Sequence, residues 1–499
     1  MGWKSWFIKP YAKYIGRQIA SKARTAVTDQ NQIMQELVRK ASTTAYGKDH
    51  NFHKIKSYED FKKEVPIYDY EGLRPYVDRV VKGEADVLWP GRPKYFAKTS
   101  GTTSGVKYIP LTQDSMPNHM DTATHAVLNY IAETGNAEVL DGKVMFLSGS
   151  PELEEKGGVA TGRLSGIVNH EVPAWIKSNQ VPTYETNCID DWEEKLEKVV
   201  DETIKHDMRL IGGIPPWVQM YYERILLRSG KAKVTEVFKN LGLFVYGGVN
   251  YEPYRAKLSE LVGRQIDSIE TYPASEGFIA FQSSQKDDGL LLNTRSGIFF
   301  EFVPAQEAHE TNPTRYKLDE VELGVDYALI INSNAGLWGY SIGDSVRFVS
   351  LAPYKLVVSG RIKHYISAFG EHVIGKEVEE ALLSVANQKG IKIVEFTVAP
   401  QVSPPEGGTP YHEWFVEFDN EPSDMQQFAD AVNTEMIKQN IYYEDLIKGG
   451  ILQPLKLRSL QNGAFREYMK TQGKLGGQNK VPRLSNDRKI ADVLVRFIK

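Results

Sequence analysis

The chain has 499 residues, of which 41% are hydrophobic and 25% charged, a globular composition that excludes a disordered or collagen-like polymer. One cysteine, Cys188, excludes an intramolecular disulfide, and the lack of a run of about 18 apolar residues excludes a membrane-spanning helix. The net charge of −4 hides basic ends, +6 over residues 1–25 and +8 over residues 451–499. We therefore expect a cytoplasmic protein of one large body and an appended domain.

The first 65 residues predict helices, including a capping box at Ser57 and Asp60. From about residue 95 to 350, short apolar runs alternate with helical segments, which predicts a mainly parallel sheet with helices on its faces. The predicted buried strands are Val144–Leu147, Leu210–Ile211, Leu243–Tyr246 and Ile269–Tyr272. Later runs are closely spaced and predict antiparallel strands at Ile298–Val303, Asp326–Ile331 and Ser345–Val349.

After Gly360 the pattern changes to a compact α+β unit, with a helix at Lys376–Leu383 and a β-pair at Ile393–Ala399 and Glu413–Asp419. The sequence thus predicts an α/β protein with mixed sheets flanked by helices. Its domains are residues 1–360 and a smaller α+β domain at 361–499.

The segment Thr99-Ser-Gly-Thr-Thr-Ser-Gly-Val-Lys107 carries the most chemical information. Glycines let backbone N–H groups converge, hydroxyls add donors and the lysine adds charge, which suits an anionic group. The spacing differs from a Walker motif, because Gly101 and Gly105 are one residue too close and Tyr108 replaces the magnesium-binding Ser or Thr. A polar surface turn is the alternative.

This loop resembles the phosphate loop of adenylate-forming enzymes, and more closely that of the auxin-responsive promoter (Gretchen Hagen) family of acyl-acid amido synthetases. That family's preceding segments are matched by Phe61-Lys-Lys-Glu-Val-Pro66, Arg74-Pro-Tyr76 and Lys82-Gly-Glu84. The resemblance implies a large N-terminal adenylation domain and a mobile C-terminal cap. It also implies phosphate binding by Thr99, Ser100, Gly101, Thr102, Thr103, Ser104 and Lys107.

Two further motifs resemble those of the family. In Tyr272-Pro-Ala-Ser-Glu276, the family's glutamate holds Mg²⁺ against the ATP phosphates and its tyrosine packs near adenine. In Tyr340-Ser-Ile-Gly-Asp344, the aspartate accepts hydrogen bonds from ribose, although Ser341 stands where plant members carry arginine. The adenine and ribose residues implied are Gly247, Gly248, Val249, Tyr272, Ser275, Asp344 and Arg361.

The segment Gln478-Asn-Lys480-Val-Pro-Arg483 resembles the family's C-terminal lysine motif, with Asn479 replacing tyrosine. Lys480 would offset the negative charge gathering between the acid and the α-phosphate, so Lys480 and Glu276 are the implied catalytic residues. His372 is a candidate base on position alone. The candidate acyl pocket, with plain core packing as the alternative, comprises Val168, Trp175, Trp217, Met220 and Tyr221.

The implied reaction adenylates a small carboxylic acid with ATP and Mg²⁺ and transfers the acyl group to an amine, which we expect to be an amino acid. The alternatives are an acyl-CoA ligase with a thiol acceptor and a non-catalytic acyl or nucleotide sensor. We expect a monomer that binds no nucleic acid, although Trp3, Trp6 and Phe7 make the first helix a candidate for peripheral membrane contact. His119 and His125 are predicted to be helix-surface residues.

Overall fold

The computed structural model describes residues 3–100, 106–172, 177–249, 251–286, 289–308, 310–362, 365–366, 368–371, 373–471 and 481–499. The chain divides into two compact units. The first comprises Met1–Thr99, Lys107–Ile189 and Lys195–Ile362, and the second comprises Ser100–Val106, Asp190–Glu194 and Lys363–Lys499.

The helices alternate with strands through the first unit and then frame a small sheet in the second. Up to residue 262 they are α1 Trp3–Arg24, α2 Ala26–Ala41, α3 Ala45–Asp49, α4 Tyr58–Glu64, α5 Tyr70–Val81, α6 Met116–Thr134, α7 Leu164–Glu171, α8 Tyr184–Asn187, α9 Trp192–Thr203, α10 Pro215–Ser229, α11 Val234–Val237 and α12 Glu252–Val262. The later helices are α13 Gly375–Gln388, α14 Met425–Gln439, α15 Ile441–Lys448, α16 Ala464–Thr471 and α17 Lys489–Leu494. Short 3₁₀ turns occur at Phe52–Lys54, Ala137–Leu140, Ala305–Glu307, Leu318–Glu320 and Val495–Phe497.

The strands of the first unit are β1 Tyr95–Ser100, β2 Val106–Leu111, β3 Lys143–Phe146, β4 Glu154–Lys156, β5 Val159–Gly162, β6 Gln180–Val181, β7 Met208–Gly212, β8 Leu243–Gly247, β9 Asp267–Ala274, β10 Gly277–Gln282, β11 Leu290–Leu292, β12 Ile298–Pro304, β13 Asp326–Ser333, β14 Tyr340–Leu351 and β15 Tyr354–Arg361. The later strands are β16 Tyr365–Ile366, β17 Val373–Ile374, β18 Lys392–Gln401, β19 Tyr411–Asn420 and β20 Gln453–Leu460.

Among the described residues, eleven strands join in one sheet of order β12-β13-β14-β15-β11-β10-β9-β8-β7-β3-β6. The half from β9 to β6 is parallel and the half from β12 to β9 is antiparallel. The predicted parallel and antiparallel runs therefore belong to one mixed sheet, and the predicted α/β class is confirmed. A second sheet has the order β2-β1-β5-β4.

In the second unit, β18 pairs antiparallel with β19, and β19 pairs parallel with β20. The predicted β-pair of this unit is therefore confirmed. The strands β16 and β17 form a separate two-stranded ladder.

Local sequence signals fix several helix starts of the first unit. The Ser57 side chain accepts from the Asp60 N–H and the Asp60 carboxylate accepts from the Ser57 N–H, which is the predicted capping box of α4. The Asp69 side chain caps α5 by accepting from the Gly72 N–H at 3.1 Å. These short polar residues satisfy backbone donors that the first helical turn leaves unpaired.

The long first helix packs on α6 along one face. Ala12 and Ile15 of α1 are buried with Ala126 and Ile131 of α6 in one hydrophobic cluster. A Cβ at Gly16 would lie 2.8 Å from the Ala132 side chain, so the two helices approach closely there. None of the helices in the described ranges combines the length and apolar character that crossing a bilayer requires.

Candidate active site

The strands on either side of the predicted phosphate loop are fixed to neighbouring elements. Residues 101–105 and the side chain of Ser100 lie outside the described part of the chain. Before the loop, β1 pairs in parallel with β5 from Tyr95 to Ala97. After it, the Tyr70 hydroxyl accepts a 3.0 Å hydrogen bond from the Tyr108 N–H, and Lys107 Nζ lies 5.5 Å from the Tyr70 ring centroid. Helix α5 therefore holds the lysine end of the loop.

Two of the predicted adenine and ribose residues, Tyr272 and Asp344, meet across the sheet. The Tyr272 hydroxyl on β9 donates to Asp344 Oδ2 on β14 at 2.5 Å, and both side chains are buried. A buried carboxylate needs donors, and a phenolic O–H is a strong one. Asp344 lies opposite Arg361 in the β14–β15 register, although the Arg361 side chain is outside the described atoms. The structure thus joins two motifs that are 72 positions apart in the sequence.

A second tyrosine–carboxylate pair links the same two segments. Ser275 and Glu276 form the turn between β9 and β10, where Ala274 pairs with Gly277. The half-buried Glu276 accepts a hydrogen bond from the Tyr340 hydroxyl through Oε1 at 3.3 Å. Burial, followed by the nearby Glu276 carboxylate, raises the pKa of Tyr340 well above its usual range, so the phenol stays a donor.

The strand that carries Tyr340 is anchored from behind at Gly339. This residue has φ +53°, and a Cβ there would lie 2.0 Å from the Pro66 carbonyl oxygen, so only glycine fits. Asn332 Oδ1 accepts from the Gly339 N–H at 2.6 Å. The Ser341 N–H donates to the Tyr68 carbonyl at 2.7 Å, which fastens the other end of Tyr340.

Asn332 connects this turn to a buried ion pair. Its Nδ2 donates to Glu301 Oε2 at 2.8 Å, and Arg315 Nη2 lies 2.7 Å from the same carboxylate. The Tyr58 hydroxyl adds a 2.9 Å hydrogen bond to Glu301. Sequence reasoning missed this network, although a glutamate inside the apolar strand Ile298–Pro304 is a signal that buried donors must lie nearby.

The glycine turn after β8 lies against the strand of Tyr272. A Cβ at Gly247 would lie 2.3 Å from the Thr271 carbonyl oxygen, and Gly248 has φ +82°. The Thr271 hydroxyl donates to the Tyr246 carbonyl at 2.8 Å. Gly247 is the last residue of β8, and Gly248 and Val249 follow it. Because β8 and β9 are parallel, these residues lie at the carboxyl edge of the strands, where open α/β sheets bind ligands.

Helix α6 holds the hairpin that carries Glu276. Asn118 Oδ1 accepts from the Phe278 N–H at 2.6 Å and its Nδ2 donates to the Phe278 carbonyl at 3.1 Å. The neighbouring His119 is buried, so the prediction of a surface residue is wrong for it. Burial lowers its pKa to about 4, and it is therefore neutral at pH 7. His125 is half-buried on the same helix.

The predicted acyl-pocket residues have different surroundings. Tyr221 is fully buried and its hydroxyl donates to Thr203 Oγ1 at 2.7 Å, so it is a core residue that has no surface for a ligand. Val168 on α7, and Trp217 and Met220 on α10, are half-buried. Trp175 falls outside the described residues.

The predicted catalytic Lys480 and the candidate base His372 also fall outside the described residues. The chain just after Lys480 is well anchored within the second unit. Thr397 Oγ1 donates to the Pro482 carbonyl at 2.7 Å, and the Val398 N–H donates to the Arg483 carbonyl at 3.0 Å. The Arg483 guanidinium pairs with Glu395 and covers the Phe396 ring at 4.6 Å.

Within the described residues, no group of three or more His, Cys, Asp or Glu side chains is arranged to hold a metal ion. Magnesium at this site would therefore depend on Glu276 together with oxygens of a bound substrate and water, which is how proteins commonly hold Mg²⁺ with nucleotides.

Three family models match the chain, covering well over half of it. They are the GH3 family N-terminal domain at residues 16–196, the central domain at 291–361 and the C-terminal domain at 376–489. This chain belongs to the GH3 family. The predicted family is thereby confirmed.

Curated GH3 relatives are distant but match along most of their length. The jasmonoyl–L-amino acid synthetase JAR4 of Nicotiana attenuata is 23% identical over 88% of this chain and 87% of its own. The 4-substituted benzoates–glutamate ligase GH3.12 of Arabidopsis thaliana is 23% identical over 96% of each chain. The indole-3-acetic acid-amido synthetase GH3.4 of Arabidopsis thaliana is 21% identical over 91% and 88%.

The solved structure of the AtGH3.15 acyl acid amido synthetase in complex with 2,4-DB has a TM-score of 0.60 to this chain at 15% identity. It covers 97% of this chain and 96% of its own, which confirms the fold. The relatives are amido synthetases, and the predicted class, an acyl acid amido synthetase and thus a ligase, is confirmed.

Proposed function

We propose that this GH3 chain couples a small carboxylic acid to an amino acid in two steps that consume ATP. In the first step an acid oxygen attacks the α-phosphorus, pyrophosphate leaves and an acyl-adenylate remains bound. In the second step the amine attacks the activated carbonyl and AMP leaves. The observation that carries the proposal is the pairing of Tyr272 with Asp344 and of Glu276 with Tyr340, because both pairs join the same two motif segments.

The nucleotide subsite follows from the chemistry of these groups. Asp344 can accept hydrogen bonds from both ribose hydroxyls while the Tyr272 phenol stabilises its charge. The backbone at Gly247 and Gly248 allows the flat adenine to approach the strand end, since neither residue has a side chain in the way. The loop amides and Lys107 would meet the phosphates.

Glu276 fits a magnesium ion shared with the ATP phosphates, because it is a half-buried carboxylate at a hairpin turn. Bound Mg²⁺ would supply charge neutralisation for the leaving pyrophosphate. The Tyr340 hydroxyl donates to Glu276 Oε1 and so orients the carboxylate.

Lys480 is proposed to stabilise the charge that develops between the acid and the α-phosphate. It lies three residues before Arg483 in the sequence, and the backbone and guanidinium of Arg483 are held on β18. We also propose that the predicted C-terminal cap, residues 361–499, moves between the two steps, with Ser359–Lys363 as the hinge. In that case Lys480 serves adenylation only.

The substrates are proposed from the acyl acid amido synthetases to which this chain is similar. The relatives are named for jasmonate, indole-3-acetate and benzoate conjugation, all carboxylic acids with an apolar ring. Val168, Trp175, Trp217 and Met220 are the residues proposed to receive such a body, and an amino acid is the proposed acceptor. We expect a monomeric cytoplasmic enzyme that binds no nucleic acid, an expectation supported by the single cysteine and the net charge of −4.

The test is ATP–pyrophosphate exchange driven by a panel of carboxylic acids. Lys480→Ala is expected to lower exchange on the order of 10²-fold or more, as the loss of one pre-organised charge does. Lys470→Ala, at the exposed last turn of α16, is the matched control and should keep wild-type exchange. Normal exchange by Lys480→Ala would overturn the assignment of that lysine.

Acceptor identity needs a second measurement, in which a mixture of amino acids competes with coenzyme A for the adenylate. An acyl–amino acid conjugate is the expected product. A thioester as the main product would identify an acyl-CoA ligase, and an absence of exchange with every acid would favour a non-catalytic binding protein.

A further inference from the structure

The first helix, α1, has one buried face and one unusually aromatic exposed face. Trp6 and Phe7 are 67% and 63% exposed, and Tyr11 and Tyr14 are 54% and 55% exposed. Four exposed rings within nine positions form a patch, which differs from the single exposed apolar residues that folded proteins tolerate. In the rest of the described chain, the exposed large aromatic side chains are those of Phe146 and Tyr184, on separate elements.

This patch is combined with positive charge. Residues 1–25 carry six basic residues and no acid, including Lys9, Lys13 and Arg17 near the exposed rings. The other residues of the chain have a net charge of −10, obtained by removing this +6 from the total of −4. The electrostatic asymmetry would orient the protein with α1 toward a negatively charged surface.

The position of the patch is rigid. The opposite face of α1, with Ala12 and Ile15, belongs to the hydrophobic cluster shared with α6. The Ser5 N–H donates to the Asp141 carboxylate at 3.1 Å, which fixes the first turn. A helix held in this way presents its aromatic face as part of the folded surface.

We propose that the exposed face of α1 docks this protein peripherally on an anionic lipid surface. Tryptophan and tyrosine rings place an apolar body and a polar tip at the headgroup level, and the neighbouring basic residues attract anionic lipids. The Trp6 and Phe7 rings pack edge to face, with centroids 4.8 Å apart and planes at 87°. The two rings together form one exposed apolar surface. Proteins that bind single-stranded nucleic acid instead present ring faces on which the bases stack.

The experiment is co-sedimentation of the full chain with vesicles of phosphatidylcholine alone or with about 30 mol% phosphatidylglycerol, at 0.1 M and 1 M NaCl. Binding should need the anionic lipid and fall at least about tenfold at high salt, where the Debye length shrinks from about 10 Å to about 3 Å. Equal binding to both vesicle types, or binding to neither, would overturn the proposal.

Two sets of substitutions locate the contact. Trp6→Ser with Phe7→Ser should weaken binding at least about tenfold, and Lys9→Gln with Lys13→Gln and Arg17→Gln should weaken it on the order of 10²-fold. The charge-matched control changes the exposed Lys205, Lys231 and Lys239 to Gln. An equal loss in that control would mean that α1 has no special role.

Acid-dependent exchange in solution is the readout that separates docking from folding. All these variants should keep wild-type exchange, because their side chains lie outside the core cluster of α1. Competition of vesicle binding by RNA at low salt, with retention of RNA by the wild type alone, would identify a nucleic-acid contact and contradict the lipid proposal.

Discussion

Two carboxylates of the first unit, Glu301 and Glu276, have contrasting surroundings. Glu301 is fully buried and accepts hydrogen bonds from Tyr58, Arg315 and Asn332 at 2.7–2.9 Å. Glu276 is half-buried at a hairpin turn, and its hydrogen bond from Tyr340 is 3.3 Å long.

The difference indicates how a carboxylate is used. Donors that surround a buried charge stabilise one geometry and leave no room for a ligand, so Glu301 holds the scaffold. A half-buried carboxylate at a hairpin turn, such as Glu276, can exchange water for a cation or a phosphate-bound ion. Asn332 connects the two kinds of region, because it bonds both Glu301 and the Gly339 turn before Tyr340.

The largest expected effect is on stability, from Arg315→Met. Glu301 would remain buried without its cation, and breaking such a pair costs about 3–5 kcal/mol of unfolding free energy. Urea unfolding measures the change. The double variant Arg315→Met with Glu301→Gln should recover part of the loss, since no buried charge remains, and a double variant less stable than the single one would contradict the scaffold role.

Glu276→Gln should lower activity and leave stability nearly unchanged, the reverse of what we expect for Arg315→Met. We expect ATP–pyrophosphate exchange to fall on the order of 10²-fold, because the amide cannot bind a hard cation as the carboxylate does, while the unfolding free energy changes by less than about 1 kcal/mol. Glu260→Gln, at an exposed position of α12, is the control. A large loss of stability with intact exchange would make Glu276 a scaffold residue like Glu301.

His119 extends the comparison to a buried base. Its pKa is about 4 in the folded chain and about 6.5 when unfolded, so the unfolded state binds the extra proton in that interval. Its contribution to stability is complete above pH 6.5 and is lost progressively as the pH falls toward 4. The stability lost by pH 5 amounts to about 2 kcal/mol.

The pH dependence of unfolding tests this directly. His119→Leu should remove that part of the loss between pH 7.5 and 5, whereas His206→Gln, at an exposed position, should leave the wild-type dependence. Identical profiles for wild type and His119→Leu would mean that His119 is not buried in solution.

Tyr272→Phe should give the smallest effect. The ring still fills its place, but Asp344 loses a hydrogen bond to its charge, which is worth about 1.5–3 kcal/mol in the interaction itself. Because the Tyr272 hydroxyl no longer orients Asp344 for the ribose, we expect the KM for ATP to rise about tenfold with kcat within about twofold. Tyr221→Phe, whose hydroxyl bonds Thr203 in the core, should leave the KM unchanged.

The sequence predicted elements better than it predicted their partners. Apolar runs correctly located β3, β7, β8 and β9, and a short-range polar signal located the start of α4, because these features depend on residues within a few positions. The later strands join the same sheet because β15 pairs with β11. The paired residues are 64 and 66 positions apart, and no local pattern encodes such a pairing.

The same limit applies to the candidate site. Asp344, Glu276 and Tyr272 could be named from motifs, but the pairing of Tyr272 with Asp344 and of Tyr340 with Glu276 could not, since the partners are 72 and 64 positions apart. Tyr221 was placed in a pocket because it is aromatic, and the structure shows instead a buried hydroxyl bonded to Thr203. Burial of a given ring depends on packing, which composition does not specify.

The β14–β15 hairpin contains an amide whose hydrogen exchange can be measured to follow the candidate site. The Ile362 N–H donates to the Gly343 carbonyl at 3.0 Å. The last residue of the first unit is therefore hydrogen-bonded to the residue that directly precedes Asp344. Slow exchange of this single amide with deuterated water would register how firmly Asp344 is held. The chain thus leaves the first unit at a residue whose amide is hydrogen-bonded next to Asp344.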